Sequence, residues 1–185
     1  MKRASAVTFV FLATTLFISS GDACPGVPSM TWEDACLKSR DRQEPRWYQL
    51  CRDTLRSGPS AAQQVTVLAL TATRKALLRY DATMAEIDRM LRRSSVAKPP
   101  PALERCKGRY GEARGLVARI TEQLARCDFA AAKQEYYDAH LAVQACLSGL
   151  WSGYRGSPLH AAVSADLDLT MVAFELGALL VDGKQ

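Results

Sequence analysis

The chain has 185 residues, a formal net charge of +5, 48% hydrophobic residues and six cysteines. A chain of this length is enough for one domain with a single core and too short to expect two. Six cysteines argue against the cytosol, where thiols stay reduced, and the absence of asparagine excludes N-linked glycosylation.

The first 23 residues have the order of a secretory signal peptide. Lys2 and Arg3 form a basic start, residues 7–18 an apolar middle, and residues 21–23 include small side chains near the cleavage point. This apolar run is too short to span a bilayer comfortably, and no later segment is as uninterrupted as a membrane span. We therefore expect residues 1–23 to be a signal peptide and residues 24–185 to be a soluble, secreted domain with a net charge of +4.

Two short helices are predicted next. Thr31 is a candidate N-cap, followed by acidic residues that suit the positive end of a helix. The second helix covers residues 46–56 and ends at Gly58. The midpoint between Cys36 and Cys51 falls in the turn between the helices, so these two cysteines are predicted to form a disulfide. It would stabilise a helical hairpin too short to be stable by itself.

A long third helix is predicted to begin near Ser60, a candidate N-cap, and to end before the prolines at 99–101, which form a stiff linker. Thr73 and Arg74 interrupt its apolar face for one turn. The apolar positions at helical spacing are Val67, Leu70, Leu77, Tyr80, Met84, Ile87 and Leu91.

The fourth and fifth helices carry unbroken apolar faces and are separated only by residues 125–128, so they must pair antiparallel. Position 126 lies midway between Cys106 and Cys146, which predicts that these cysteines face each other. Helix axes about 8–10 Å apart leave about 4–5 Å between the Cα atoms, which is within disulfide reach. The faces are Leu103, Cys106, Tyr110, Ala113, Val117, Ile120 and Leu124, and Phe129, Ala132, Tyr136, Ala139, Val143, Cys146 and Leu150.

A sixth helix is predicted from Pro158, because proline is tolerated in a first helical turn. No strand pattern is visible. The predicted fold is therefore all-α, an up-down-up-down four-helix bundle preceded by a disulfide-bonded helical hairpin. The apolar face of the sixth helix is Val163, Leu167, Leu169, Phe174, Leu176 and Leu180.

No catalytic or metal-binding motif is visible. His140 and His160 are the two histidines, and neither lies beside a core cysteine or a G-x-S-x-G serine. The sequence has no H-E-x-x-H, no paired C-x-x-C and no phosphate-binding or dinucleotide-binding glycine motif. We therefore expect no enzymatic activity, no cofactor and no metal, and a function in binding.

Six cations lie on the fourth helix or at its end, outside its apolar face. They could form a solvated helix surface, or they could attract an acidic polymer or an acidic enzyme cleft. The secretory signal argues against nucleic acid as a partner. These cations are Arg105, Lys107, Arg109, Arg114, Arg119 and Arg126.

Several short motifs match one family across nearly all of residues 24–185. Residues 48–51 read Y-x-x-C, residues 102–110 read A-L-x-x-C-x-x-x-Y, and residues 157–159 read S-P-hydrophobic. Further matches lie at residues 31–36, 68–70, 128–132 and 137–146. On these residues the chain resembles the secreted plant inhibitors of invertase and pectin methylesterase. The wide spacing between Cys36 and Cys51 is most similar to the invertase inhibitors of the pollen-allergen type.

This resemblance implies a disulfide-bonded helical bundle with a framework of four cysteines, Cys36, Cys51, Cys106 and Cys146. In the family these cysteines pair consecutively, the first with the second and the third with the fourth. It also implies an inhibitor without chemistry of its own, which docks one-to-one onto pectin methylesterase or a cell-wall or vacuolar invertase. The expected location is the apoplast or cell wall, with the vacuole as the alternative.

The resemblance also suggests a contact loop. Some invertase inhibitors of this family insert a Pro-Lys-Phe loop, between the equivalents of the fourth and fifth helices, into the sugar-binding cleft. The corresponding residues here make Arg126, Asp128 and Phe129 the candidate partner-contact residues, although the Pro-Lys element is missing. Phe129 also opens the apolar face of the fifth helix, so packing is its alternative role. The acidic residues that follow the last framework cysteine in the family are here Leu147 and Ser148.

Cys24 and Cys127 lie outside the four-cysteine framework. They could bond to each other, bond between chains or remain free thiols.

Two alternative functions stay open. One is a structural, storage-like or allergen-type extracellular protein with no enzyme target. The other is direct binding of acidic pectin through the basic helix.

Overall fold

The computed structural model describes residues 24–39, 45–58, 61–93 and 100–182. The predicted signal peptide, the Ser60 cap and most of the linker after the third helix lie outside the described residues. The elements are β1 Ser29–Met30, α1 Trp32–Ser39, α2 Pro45–Leu55, β2 Gln63–Gln64, α3 Val65–Arg93, α4 Pro101–Ala125, α5 Phe129–Tyr154 and α6 Pro158–Asp182.

Helices α3 to α6 form a four-helix bundle with alternating direction. α4 packs between α3 and α5, and α6 completes the bundle by packing against α5 and α3. The α1–α2 hairpin packs on α6 and α3, so it lies on the opposite side from the α4–α5 pair. The predicted all-α bundle with an N-terminal hairpin is therefore confirmed. No described helix combines the length and the hydrophobicity that crossing a bilayer requires.

The predicted apolar faces of α4 and α5 are the faces that the structure buries. All fourteen of their residues are at most 6% exposed. Cys106 and Cys146 are bonded across the seam between the helices, with their Cα atoms 4.4 Å apart. Cys36 and Cys51 join the two helices of the hairpin. The sequence predicted the buried faces of α4 and α5 correctly because no polar residue interrupts the apolar positions of either helix.

The buried face of α3 differs from the predicted one. Val67 is 44% exposed, whereas Thr73, which was expected to interrupt the face, is fully buried. The Thr73 hydroxyl donates to the carbonyl oxygen of Ala69 at 2.7 Å and accepts from the Tyr136 hydroxyl on α5. Tyr80 and Ile87 are buried as predicted, so the prediction was wrong only at Val67 and Thr73. In that part of α3 the core face is made largely of alanines and a hydrogen-bonded threonine, and neither gives a strong hydrophobic signal.

Side-chain caps position the first and last helices. The Thr31 hydroxyl accepts from the Asp34 N–H at 3.1 Å, as predicted for an N-cap, and the Ser157 hydroxyl accepts from the His160 N–H at 3.1 Å. The antiparallel pairing of β1 with β2 was not predicted. Two residues are too few to show the alternation of a strand.

A buried carboxylate lies inside the bundle. Asp166 of α6 is fully buried. Its Oδ1 accepts from Arg79 Nε at 2.7 Å, and its Oδ2 accepts from Thr83 Oγ1 at 2.6 Å and from the Tyr110 hydroxyl at 2.9 Å. The donors come from α3 and α4, so one side chain of α6 connects three helices. A buried charge without such partners would be strongly unfavourable.

Two tyrosines extend this polar cluster. The Tyr80 hydroxyl donates to Thr170, whose own hydroxyl donates to the Asp166 carbonyl oxygen at 2.7 Å. The rings of Tyr80 and Tyr110 pack edge to face, with centroids 5.4 Å apart. Burial raises the pKa of both tyrosines above the ordinary tyrosine range, and the charge of Asp166 adds to the shift. Both hydroxyls therefore remain neutral donors at physiological pH.

We predict that Tyr110→Phe destabilises the protein more than Tyr136→Phe. Tyr110 donates to a buried charge, and losing such a bond is expected to lower the free energy of unfolding by about 1.5–3 kcal/mol. Tyr136 bonds a neutral hydroxyl, for which about 0.5–1.5 kcal/mol is expected. Urea denaturation of both variants measures the difference. Equal losses, or a larger loss for Tyr136→Phe, would contradict the role given to Asp166.

We also predict that Cys146→Ser lowers the free energy of unfolding by about 2–5 kcal/mol, the usual effect of losing a native disulfide. Thermal or urea unfolding under non-reducing conditions measures the loss. Ala145→Ser, at the neighbouring exposed position, is the control. A melting temperature within a degree of the wild type would show that the Cys106–Cys146 bond contributes nothing.

Candidate functional site

The predicted contact loop, residues 126–129, lies at the end of the bundle where α4 meets α5. Arg126 and Asp128 are exposed, whereas Phe129 is only 6% exposed and belongs to the core. The Asp128 carboxylate also caps α5 by accepting from the Ala131 N–H at 3.3 Å. Of the three candidate residues, Phe129 therefore packs inward, and Arg126 and Asp128 face solvent.

Cys127 has an unusual backbone conformation within this loop. Its φ is 60°, in the left-handed region. The Cys127 N–H donates to the Leu124 carbonyl oxygen at 3.2 Å, and the Asp128 N–H donates to that of Gln123 at 2.9 Å. This pair of bonds is the Schellman motif that ends many helices, and glycine is its usual left-handed residue. A cysteine in this conformation is less favourable than a glycine, and the disulfide that it forms explains why a cysteine stands at this position.

The disulfide joins Cys127 to Cys24, with their Cα atoms 5.7 Å apart. The sequence left three possibilities for these two cysteines, and in the structure they are bonded to each other. Cys24 is held further by Gln64, because the Cys24 N–H donates to Gln64 Oε1 at 3.0 Å and Gln64 Nε2 donates to the Cys24 carbonyl oxygen at 3.1 Å. The N-terminal segment, β2 and the candidate loop are thus connected at one end of the bundle.

A second candidate surface is the α4–α5 face, on the side away from the hairpin. The small residues Gly111, Gly115 and Ala142 leave an open groove of about 600 Å³ between the two helices. Tyr137 and Leu141 lie one turn apart on α5 and are 53% and 43% exposed. Two large, exposed apolar side chains beside a groove are typical of a protein-binding surface.

The charges on and near this face lie in ion pairs. Four of the six cations predicted for the fourth helix have a carboxylate partner within 2.9 Å. Two of these pairs lie on the α4–α5 side and two connect α4 to α3. Cations that are already paired suit the polar rim of a protein interface better than the binding of a polyanion. The pairs are Lys107–Asp88, Arg109–Glu112, Arg114–Asp81 and Arg119–Glu135.

The two histidines lie in different surroundings. His140 is half-buried on α5, where burial lowers its pKa and the nearby charge of Asp168 partly offsets the shift. His160 packs near the Trp151 ring, with centroids 5.9 Å apart. Within the described ranges, no three His, Cys, Asp or Glu side chains come together as metal ligands would.

We predict that glycine is the best replacement for Cys127 once its disulfide partner is removed. In a Cys24→Ser background, Cys127→Gly is expected to be more stable than Cys127→Ala by about 1 kcal/mol, because a left-handed backbone is unfavourable for any residue with a Cβ. Urea denaturation of the two double variants measures the difference. If alanine matched glycine, the left-handed conformation would not belong to the native loop.

Comparison with known proteins agrees with this architecture. The sequence profile of the plant invertase/pectin methylesterase inhibitor family matches residues 31–168. No curated protein sequence matches the chain significantly.

Two solved structures share the fold. One is a mutant form A of a pectin methylesterase inhibitor from Arabidopsis, with a TM-score of 0.66 and 16% identity, covering 80% of this chain and 95% of that one. The other is a pectin methylesterase inhibitor from Arabidopsis thaliana, with a TM-score of 0.58 and 18% identity, covering 72% of this chain and 88% of that one. At these identities the structures show a common fold. Because the family profile spans most of the chain, from the first helix into α6, the protein belongs to the plant invertase/pectin methylesterase inhibitor family.

Proposed function

We propose that this protein is a secreted inhibitor that docks one-to-one onto a plant carbohydrate-active enzyme, with pectin methylesterase as the preferred target and acid invertase as the alternative. The observation that carries this proposal is the open α4–α5 face, with Tyr137 and Leu141 exposed beside its groove, in a fold that belongs to a family of inhibitors. Inhibition would require no chemistry from this chain, only a surface that covers the active site of the enzyme.

The α4–α5 face is large enough for a specific complex. α4 has 25 residues and α5 has 26, so each helix is about 37–39 Å long at about 1.5 Å per residue. Two adjacent helices of that length present an area comparable to the roughly 800 Å² that one partner buries in a standard interface. Tyr137 and Leu141 would form its apolar centre, and the ion pairs of α4 its polar rim.

This face also needs little ordering on binding. The Cys106–Cys146 disulfide joins α4 to α5 within their length, and the Cys24–Cys127 disulfide fixes the loop where they meet. Binding by a surface that is already ordered avoids much of the conformational entropy that a flexible loop would lose. Arg126 and Asp128 would contact the enzyme from the end of this face.

Pectin methylesterase is the preferred target because the candidate loop lacks the elements for insertion into a sugar-binding cleft. The Pro-Lys element is missing, and Phe129 is buried and cannot enter a partner without leaving the core. After the last framework cysteine, Leu147 packs against the core and Ser148 is exposed, so only Ser148 could contact an enzyme there.

The proposed location is outside the cell, in the apoplast or cell wall, with the vacuole as the alternative. Residues 1–23 have the pattern of a signal peptide, and all six cysteines are bonded, which suits an oxidising compartment.

The first test titrates purified pectin methylesterase and acid invertase, side by side, with the folded protein at mildly acidic pH. We expect inhibition of pectin methylesterase that is complete at one equivalent, and unchanged invertase rates. Inhibition of invertase alone would reverse the preference between the two enzymes. Unchanged rates for both at micromolar excess would reject the inhibitor function.

The second test places a charge at the proposed interface. We expect Leu141→Glu to weaken inhibition at least tenfold, because a carboxylate would be buried at the apolar centre of the complex. Leu37→Glu, at a position of similar exposure on α1, is the matched control and should inhibit like the wild type. If the two variants inhibited equally well, the docking surface would not include Leu141.

A further inference from the structure

A second groove lies between α2, α3 and α6, on the side of the bundle that carries the hairpin. It encloses about 350 Å³, and its walls are mainly apolar. Leu78 forms one edge and is 69% exposed, the largest exposure among the large apolar side chains that the structure describes. The other apolar walls are Leu50, Ala165 and Leu169.

Arg79 connects this groove to the buried polar cluster. Its Nε donates to the buried Asp166 carboxylate at 2.7 Å, which fixes the plane of the guanidinium group. The side chain lines the groove and is 47% exposed. Across the described ranges, the Nε–H is the one group of Arg79 with a hydrogen bond, so its two terminal nitrogens are available for another acceptor. A fixed guanidinium with two such donors matches the geometry of a carboxylate.

Lys75 adds a second positive charge at the same groove. It lies one helical turn before Arg79 on α3, and both residues line the groove. The Lys75 ammonium donates to the Thr54 carbonyl oxygen and to the Ser57 hydroxyl, so it is held by neutral groups and its charge is not neutralised by them.

Among the residues that the structure describes, Asp53 is the one carboxylate lining the groove, and it is already paired. Asp53 lies 3.4 Å from the Arg56 guanidinium and 3.8 Å from that of Arg52. The charge of Arg79 is balanced by Asp166, whereas Lys75 contributes a positive charge to the edge of an otherwise apolar groove. This combination is complementary to a molecule that has a hydrocarbon body and one negative charge.

We propose that this groove binds a free medium-chain carboxylate. The carboxylate would accept hydrogen bonds from the terminal nitrogens of Arg79, with Lys75 adding long-range attraction. The hydrocarbon chain would lie along Leu50, Leu78 and Leu169. The volume is at the lower end of the range for small-molecule sites, which favours a chain of medium length. This site is separate from the α4–α5 face and does not depend on the proposed inhibitor function.

The probe is decanoate, titrated into the full, disulfide-intact protein at neutral pH below the concentration at which micelles form. Calorimetry is expected to show one saturable site, weakened by high salt. 1-Decanol, which has the same chain without the charge, is expected to bind at least tenfold more weakly. Equal binding of the two compounds, or several non-saturable sites, would overturn the proposal.

Matched variants locate the site. Leu78→Glu places a negative charge at the edge of the groove and should weaken decanoate binding at least tenfold, whereas Leu141→Glu on the opposite face should leave it unchanged. Arg79→Lys keeps a cation beside Asp166 but loses the planar pair of donors, and should weaken binding severalfold. Circular dichroism and melting temperature verify that each variant is folded. Unchanged affinity in folded Leu78→Glu would reject the site.

The same variants separate the two proposals. Leu141→Glu tests enzyme inhibition and Leu78→Glu tests carboxylate binding, so either proposal can fail while the other stands.

Discussion

The buried carboxylate of Asp166 is the interaction on which the arrangement of the bundle depends most. Apolar burial is non-directional, whereas a fully buried charge must keep its donors within hydrogen-bond distance. Arg79 and Thr83 of α3 and Tyr110 of α4 supply those donors. They fix α6 against its two neighbours. Because Arg79 reaches from this buried cluster to the surface, the same interaction also sets the geometry of a groove outside the core.

The three disulfides hold three different parts of the fold together. One closes the short hairpin, one joins α4 to α5, and one ties the N-terminal segment to the loop at the end of the bundle. The third bond holds Cys127 in a backbone conformation that ordinarily belongs to glycine. Two of them, Cys106–Cys146 and Cys24–Cys127, hold α4, α5 and the loop between them in place.

The position of the hairpin gives the bundle two different sides. By packing on α3 and α6 it leaves the α4–α5 face uncovered, and it provides the α2 wall of the groove that Arg79 lines. The ion pairs along α4 neutralise most of its cations, so the positive charge of the chain is not gathered into one basic surface there.

The sequence by itself determined the helices, the buried faces of α4 and α5, and the positions at which Cys106 meets Cys146. These features follow from local periodicity and from the symmetry of a hairpin about its turn. It did not determine that Thr73 and Asp166 are buried, because their burial depends on hydrogen-bond partners that other helices supply. It also left the partner of Cys24 open. Cys127 is 103 residues away and the two do not face each other across a single turn, so only the packing of the whole bundle brings them together.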